Sequence, residues 1–180
     1  MIRISNLVKK YGGLTAVDGL TLDIHENEVF GLLGSNGAGK TTTIHMLATL
    51  LKPTSGTATV NGYDIVNDPA KVRASIGIVF QAPSSDDILT GYENLHLHSM
   101  LYSVPRHARR QRIDEVLELV GLSERNHDQV KTYSGGMRRR LEIARGLLHK
   151  PKVMFLDEPT LGLDPASRES MWKYVQRLVR

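Results

Sequence analysis

The sequence predicts an α/β fold with a mainly parallel core sheet, antiparallel strands at the N-terminus and a helical subdomain over about residues 83–148. Three observations carry that prediction. An apolar run at residues 29–33 leads into Gly34-Ser35-Asn36-Gly37-Ala38-Gly39-Lys40-Thr41, a complete GxxxxGK[ST] phosphate loop that opens a helical pattern. A second apolar run, at residues 153–156, ends in Asp157-Glu158-Pro159 and also leads to a helical pattern. Between them, over residues 90–120, apolar residues recur at i, i+3, i+4 and i+7, the period of a helix buried on one face.

Taken in order, residues 2–8, 20–24 and 29–33 read as short strands, with Gly12-Gly13 as a turn. Residues 39–51 are helical, with Ile44, Leu47, Ala48 and Leu51 on one face, and Pro53 with Gly56 ends the element. A strand follows at 57–61, and a compact apolar strand at 76–80 ends at Gln81. The helical stretch then falls into two pieces joined at Val104-Pro105. A third helix begins near Ser134 and lines up Met137, Leu141, Ala144 and Leu148. The last helix starts after Asp164-Pro165, with proline in its first turn, and is still running at Arg180.

The composition is that of an ordinary globular chain: 180 residues, 41% hydrophobic and 23% charged, without cysteine. This excludes a disulfide scaffold or thiolate metal site and fits a reducing compartment. No apolar stretch reaches the roughly 18 residues of a membrane span, and the N-terminus lacks a signal-peptide core. The expected location is therefore the cytosol. The net charge of +4 is concentrated in residues 106–112 and Arg138-Arg139-Arg140. Acids share these helices, so they read as solvated faces with i,i+4 pairs such as Arg138–Glu142. Aromatic residues do not interleave with the basic ones, and no nucleic-acid partner is expected. The seven histidines are scattered, with His96 and His98 on different faces of a helix, and they suggest no metal site.

The phosphate loop carries the most specific chemistry. Its glycines, Gly34, Gly37 and Gly39, let backbone N–H groups close around a phosphate, with Ser35, Asn36 and Ala38 between them. The helix opening with Lys40, Thr41 and Thr42 points its positive end at the same anion. Lys40 is suited to bridge the β- and γ-phosphates of ATP, and the Thr41 hydroxyl to ligate Mg²⁺. Two carboxylates at the end of the later strand divide the remaining work. Asp157 would hold the Mg²⁺ shell, and Glu158, pointing the other way along the pleat, would polarise the attacking water.

Ser134-Gly135-Gly136 lies 94 positions after Lys40, and Asp157 lies 23 positions after Ser134. With this order and spacing the chain resembles the nucleotide-binding subunit of an ABC (ATP-binding cassette) transporter, a phosphate-loop NTPase, over nearly its whole length. The resemblance implies that Tyr11 stacks on adenine with Val17 lining the base. It makes Gln81 the Q-loop glutamine, in touch with Mg²⁺ and water. It also makes Ser134, Gly135 and Gly136 the signature that binds the γ-phosphate of ATP held by the opposite subunit of a homodimer or pseudo-dimer, and Asp164, in Leu161-Gly162-Leu163-Asp164, the D-loop aspartate at the dimer seam. Tyr133 and Met137 replace the usual Leu and Gln of the signature, and Leu161 a small D-loop residue. Tyr133-Ser134-Gly135-Gly136-Met137 followed by Arg138-Arg139-Arg140-Leu141-Glu142 resembles the drug-export, daunorubicin-resistance-like branch.

The implied function is ATP hydrolysis that powers export of a drug-like or lipid-like substrate through separate membrane permease subunits, from a peripheral position on the inner face of the cell membrane. The alternative is an ABC-type ATPase acting on ribosomes or nucleic acid. The family also carries a switch histidine beyond the D-loop, after a further helix and strand, and no histidine follows His149 here. The expectation is a single cassette domain over residues 1–180, incomplete at its C-terminus and poorly active alone. In related ATPases the strand so missing lies between those of the phosphate loop and Asp157.

Overall fold

The computed structural model describes residues 1–161 and 163–178. Gly162 of the D-loop-like run and the continuation of the last helix to Arg180 lie outside the described residues. The chain divides into two compact units, residues 1–76 and 77–178.

In the first unit, β1 (Ile2–Tyr11), β2 (Leu14–Ile24), β3 (Ser55–Val60) and β4 (Tyr63–Asp64) form an antiparallel sheet in the order β2-β1-β3-β4. Ile2 and Ile4 are buried on its inner face, and so is Leu7, three positions on rather than two. A register shift between Ile4 and Leu7, with Asn6 at φ 46°, inserts the extra residue and returns Leu7 to the core. The helix α1 (Lys40–Leu47) buries Thr43, Met46 and Leu47. The helix α2 (Pro69–Ser75) is too short for its period to show in the sequence. Its start is marked only by Asp68-Pro69, and Val72 is its one buried large side chain.

Residues 29–33 depart from expectation. They form no strand among the described residues, and Val29, Phe30 and Leu33 are 53%, 42% and 95% exposed. An apolar run becomes a strand only when a neighbour takes up its backbone N–H and C=O groups, and no described strand pairs with this one.

The second unit pairs β5 (Ile76–Val79) with β6 (Val153–Leu156) in parallel. Against them pack α3 (Gly91–Leu101), α4 (Arg106–Leu119), α5 (Gly135–Leu147) and α6 (Pro165–Leu178), around a core that includes Val79, Leu95, Ile113, Leu117, Leu141 and Met171. A capping box starts α3: Thr90 Oγ1 accepts from the Glu93 N–H at 3.1 Å, and Glu93 Oε2 accepts from the Thr90 N–H at 2.8 Å. The cassette-like architecture read from the sequence is present, antiparallel at the start and parallel at the carboxylate strand.

The basic run on α5 is not a solvated face. Arg138 pairs with Asp87, Arg139 is 6% exposed, and Arg140 donates to the carbonyls of Val120 and Gly121 at 3.0 Å. Glu142, expected opposite Arg138, is instead buried with Arg145 at 3.0 Å. Consecutive helical residues are turned about 100° apart, so three adjacent arginines meet three different neighbours.

On α3, His98 packs against Tyr102 with ring centroids 4.7 Å apart. Burial pushes its imidazole down to about 4. The unfolded chain therefore takes up a proton near pH 6.5 that the folded chain refuses until about pH 4, and stability falls as pH drops through that window. His98→Gln is expected to flatten the decline of melting temperature between pH 6.5 and 4, measured against wild type by scanning calorimetry.

Candidate functional site

Each unit carries its own share of the motif residues. In the first, the phosphate loop turns at Gly37 and Gly39, both at φ 84°, and Gly39 caps α1. That backbone suits glycine, and a β-carbon at Gly39 would also fall against the Ala16 carbonyl oxygen on β2. Val17, 8% exposed, supports the loop from behind: its Cγ2 is 3.2 Å from where such a β-carbon would lie.

The Lys40 ammonium folds back over the loop and donates to the carbonyls of Gly34 at 2.8 Å and Ser35 at 2.9 Å. An ammonium has three donors, so this grip leaves one for a phosphate oxygen. Ser35, Asn36 and Ala38 are exposed, the Ala38 N–H donating to Ser35 O at 3.2 Å. Thr41 is exposed and Thr42 half-buried in the first turn of α1. Tyr11 ends β1 opposite Leu14, 46% exposed, with the Lys9 ammonium 5.1 Å from its ring centroid.

In the second unit, Gln81 and the two carboxylates converge because β5 and β6 are neighbours. The Asp157 N–H donates to Val79 O at 2.9 Å, extending the pairing one residue past β6, and Asp157 is 4% exposed. Glu158 does not continue the pleat as expected. At φ 48° it turns off the strand, a left-handed conformation costing a non-glycine residue on the order of 1 kcal/mol. The turn brings its Oε2 to 3.2 Å from Gln81 Nε2, which donates to it. One carboxylate oxygen is thereby oriented, and the other is left to accept from a water.

Ser134 caps α5 with its Oγ accepting from the Met137 N–H at 3.3 Å, which leaves the hydroxyl proton to donate elsewhere. Gly136 is half-buried in the first turn of α5, and at Gly135 a β-carbon would meet nothing within 4 Å. The chain's own packing does not require glycine at 135, which suits the close approach of a group from outside. Tyr133 is buried where the related motif carries leucine, its hydroxyl donating to Arg125 O at 2.7 Å. Asp164 is exposed, and its carbonyl accepts from the Arg168 N–H at 2.9 Å in the first turn of α6.

Two buried charges around this constellation escaped sequence reasoning. Arg139 reaches the backbone carbonyls on either side of the Gln81–Glu158 contact. Glu142 accepts from the Ser84 N–H at 3.1 Å, the Ser85 N–H at 2.9 Å and Ser84 Oγ at 3.0 Å, and so holds the segment after Gln81 onto α5. Arg139 carried no signal beyond lying on a helix with one apolar stripe, and for Glu142 the i,i+4 rule pointed to Arg138 instead.

The "ABC transporter" family model matches residues 17–161. The chain is 49% identical over 178 residues to the daunorubicin/doxorubicin resistance ATP-binding protein DrrA of Streptomyces peucetius, covering 99% of this chain and 54% of that protein. It is 44% identical over 178 residues to the linearmycin resistance ATP-binding protein LnrL of Bacillus subtilis, covering 99% and 57%. The chain thus spans about half the length of the curated relatives it matches. Among solved structures, it superposes on the dimeric ATP-binding cassette MJ0796 bound to ADP and Pi with a TM-score of 0.86 at 28% identity, covering 100% of this chain and 83% of that one. For cbiO1 of Clostridium perfringens, part of the ABC transporter complex cbiONQ, the TM-score is 0.90 at 30% identity, covering 99% and 73%.

Proposed function

The chain belongs to the ABC transporter family, and from that premise we propose that it is the ATP-binding and ATP-hydrolysing subunit of an exporter of drug-like or lipid-like molecules. The observation that most directly supports hydrolysis is Glu158, turned off the end of β6 with its carboxylate held by Gln81. Lys40 and the loop N–H groups would grip the phosphates, with Tyr11 and Val17 at the base. The donors proposed for Mg²⁺ fit a hard cation: the Thr41 hydroxyl, the Gln81 amide oxygen and the Asp157 carboxylate are all oxygen ligands. Bound there, the ion would neutralise phosphate charge. The chain's own part is to hold the γ-phosphate and to have Glu158 accept a proton from the attacking water. Residues 1–180 act in this reading as one domain, with residues 83–148 as its helical subdomain.

Ser134, Gly135 and Gly136 would close over ATP held by a second copy or a close homologue, with Asp164 at the seam. Among the described residues no helix is long and apolar enough to cross a membrane. In this reading the path for cargo lies in separate permease subunits, with this subunit on the inner face of the membrane. In support, α3 leaves Leu97, Met100 and Leu101 exposed at 47%, 43% and 72%, an i, i+3, i+4 apolar patch suited to a protein partner. Tagged full-length protein purified in mild detergent is expected to bring down a polytopic membrane protein that stimulates its ATP turnover. Recovery with ribosomes or nucleic acid, without a membrane partner, would contradict the transport role.

A further inference from the structure

Arg139 is a full-length cation placed where a cation is costly. It is 6% exposed, with the Glu142 and Asp157 carboxylates near enough to act on its charge. Its hydrogen bonds go to backbone carbonyls: Nε donates to Pro159 O at 2.8 Å, Nη1 to Phe80 O at 2.5 Å and Gln81 O at 3.5 Å, and Nη2 to Asp157 O at 2.9 Å and Glu158 O at 3.0 Å. A guanidinium has five N–H donors in a planar fork, and each is directed at one of these five oxygens. The carbonyls belong to two chain segments, one carrying Gln81 and the other carrying Asp157 and Glu158.

From this geometry we infer that Arg139 is a positioning residue for hydrolysis, clamping the Gln81 and Glu158 backbones at the separation that lets their side chains meet. The inference rests on the hydrolytic reading above. The Gln81–Glu158 hydrogen bond is a single 3.2 Å contact between exposed or half-exposed side chains. A contact of that kind contributes only about 1 kcal/mol and does not by itself hold two segments in register. Glu158 also sits in the left-handed region at φ 48°, a conformation that persists where its surroundings over-determine it. Its carbonyl is held from both sides, by Arg139 and by the Leu161 N–H at 3.1 Å.

Arg139 also stands on the second turn of α5, five residues after Ser134. The helix that presents the signature to a partner's nucleotide is therefore fixed to the segments that would act on the chain's own. A lysine cannot replace it: three donors diverging from one nitrogen do not span five oxygens on two segments, although the charge is kept.

The test uses full-length protein as wild type, Glu158→Gln, Arg139→Lys and Arg139→Gln, with kcat, KM and ATP affinity measured at a temperature where each variant is folded. Both Arg139 variants are expected to bind ATP within about threefold of wild type while kcat falls about 100-fold for Gln and at least about 10-fold for Lys, the scale of misplaced catalytic groups. A kcat near wild type in either folded variant would overturn the inference, as would a rise in KM with kcat unchanged, and the hydrolytic reading would stand provided Glu158→Gln is inactive. Wild-type protein without turnover would overturn that reading and this inference together. If Arg139→Gln does not fold, Arg139→Lys decides alone; if neither folds, Arg139 is a folding residue and the inference fails.

Discussion

Glu158→Gln is expected to lower steady-state ATP hydrolysis at least about 100-fold while leaving ATP affinity within about threefold, the loss typical of removing a general base. The substitution is nearly isosteric. It keeps an oxygen that can accept from Gln81 Nε2 and keeps the backbone that turns at φ 48°. What it removes is the anion that would take a proton from water. Binding is assigned elsewhere, to the Lys40 ammonium and the glycine-lined turn at residues 34–39, which the substitution does not touch. Phosphate release and nucleotide titration on the same preparation separate the two effects. Equal losses of binding and turnover would show that Glu158 holds the loop rather than serving as base.

Glu142→Ala is expected to cost about 3 kcal/mol of folding stability, the scale for breaking a buried hydrogen-bonded ion pair from one side. The carboxylate takes up the N–H groups of Ser84 and Ser85, the Ser84 hydroxyl and the Arg145 guanidinium, all next to the chain leaving Gln81. Alanine leaves those donors without their acceptor inside the fold. Urea unfolding gives the magnitude, and faster amide exchange at Ser84 and Ser85 would localise it. A loss below about 1 kcal/mol would show that water replaces the carboxylate and that the segment is not held by it.

These two residues also show what was legible in the sequence. Glu158 was legible as a candidate because its place follows from local order: an apolar strand, two acids, then proline. Lys40 and Ser134 were legible as candidates for the same reason, since a loop suited to grip phosphate with backbone N–H groups needs its glycines at fixed spacing. The elements that carry these motifs follow from periodicity and capping, as with Thr90 and Glu93 at the start of α3. Glu142 and Arg139 were not legible, because their partners are distant: Ser84 is 58 positions away and Phe80 is 59. A helical period places a side chain on a face without saying what that face meets, and the local rule pairing Arg138 with Glu142 lost to those long-range contacts. The run at residues 29–33 failed for a related reason, since strand propensity is realised only beside a pairing partner.

In the proposed function, ATP would be hydrolysed at a site shared between two chains, with Lys40 and Glu158 from one and Ser134 from the other. Two variants that are each inactive test it: Glu158→Gln, which removes the base, and Ser134→Arg, which places bulk at the exposed cap of α5. In a mixed dimer one shared site keeps the intact Glu158 of the Ser134→Arg subunit and the intact Ser134 of the Glu158→Gln subunit. If the sites act independently, an equimolar mixture of purified full-length variants is predicted to recover about a quarter of wild-type ATP turnover, since random pairing makes half the dimers mixed and each has one working site. A mixture no more active than either variant alone would contradict the shared site.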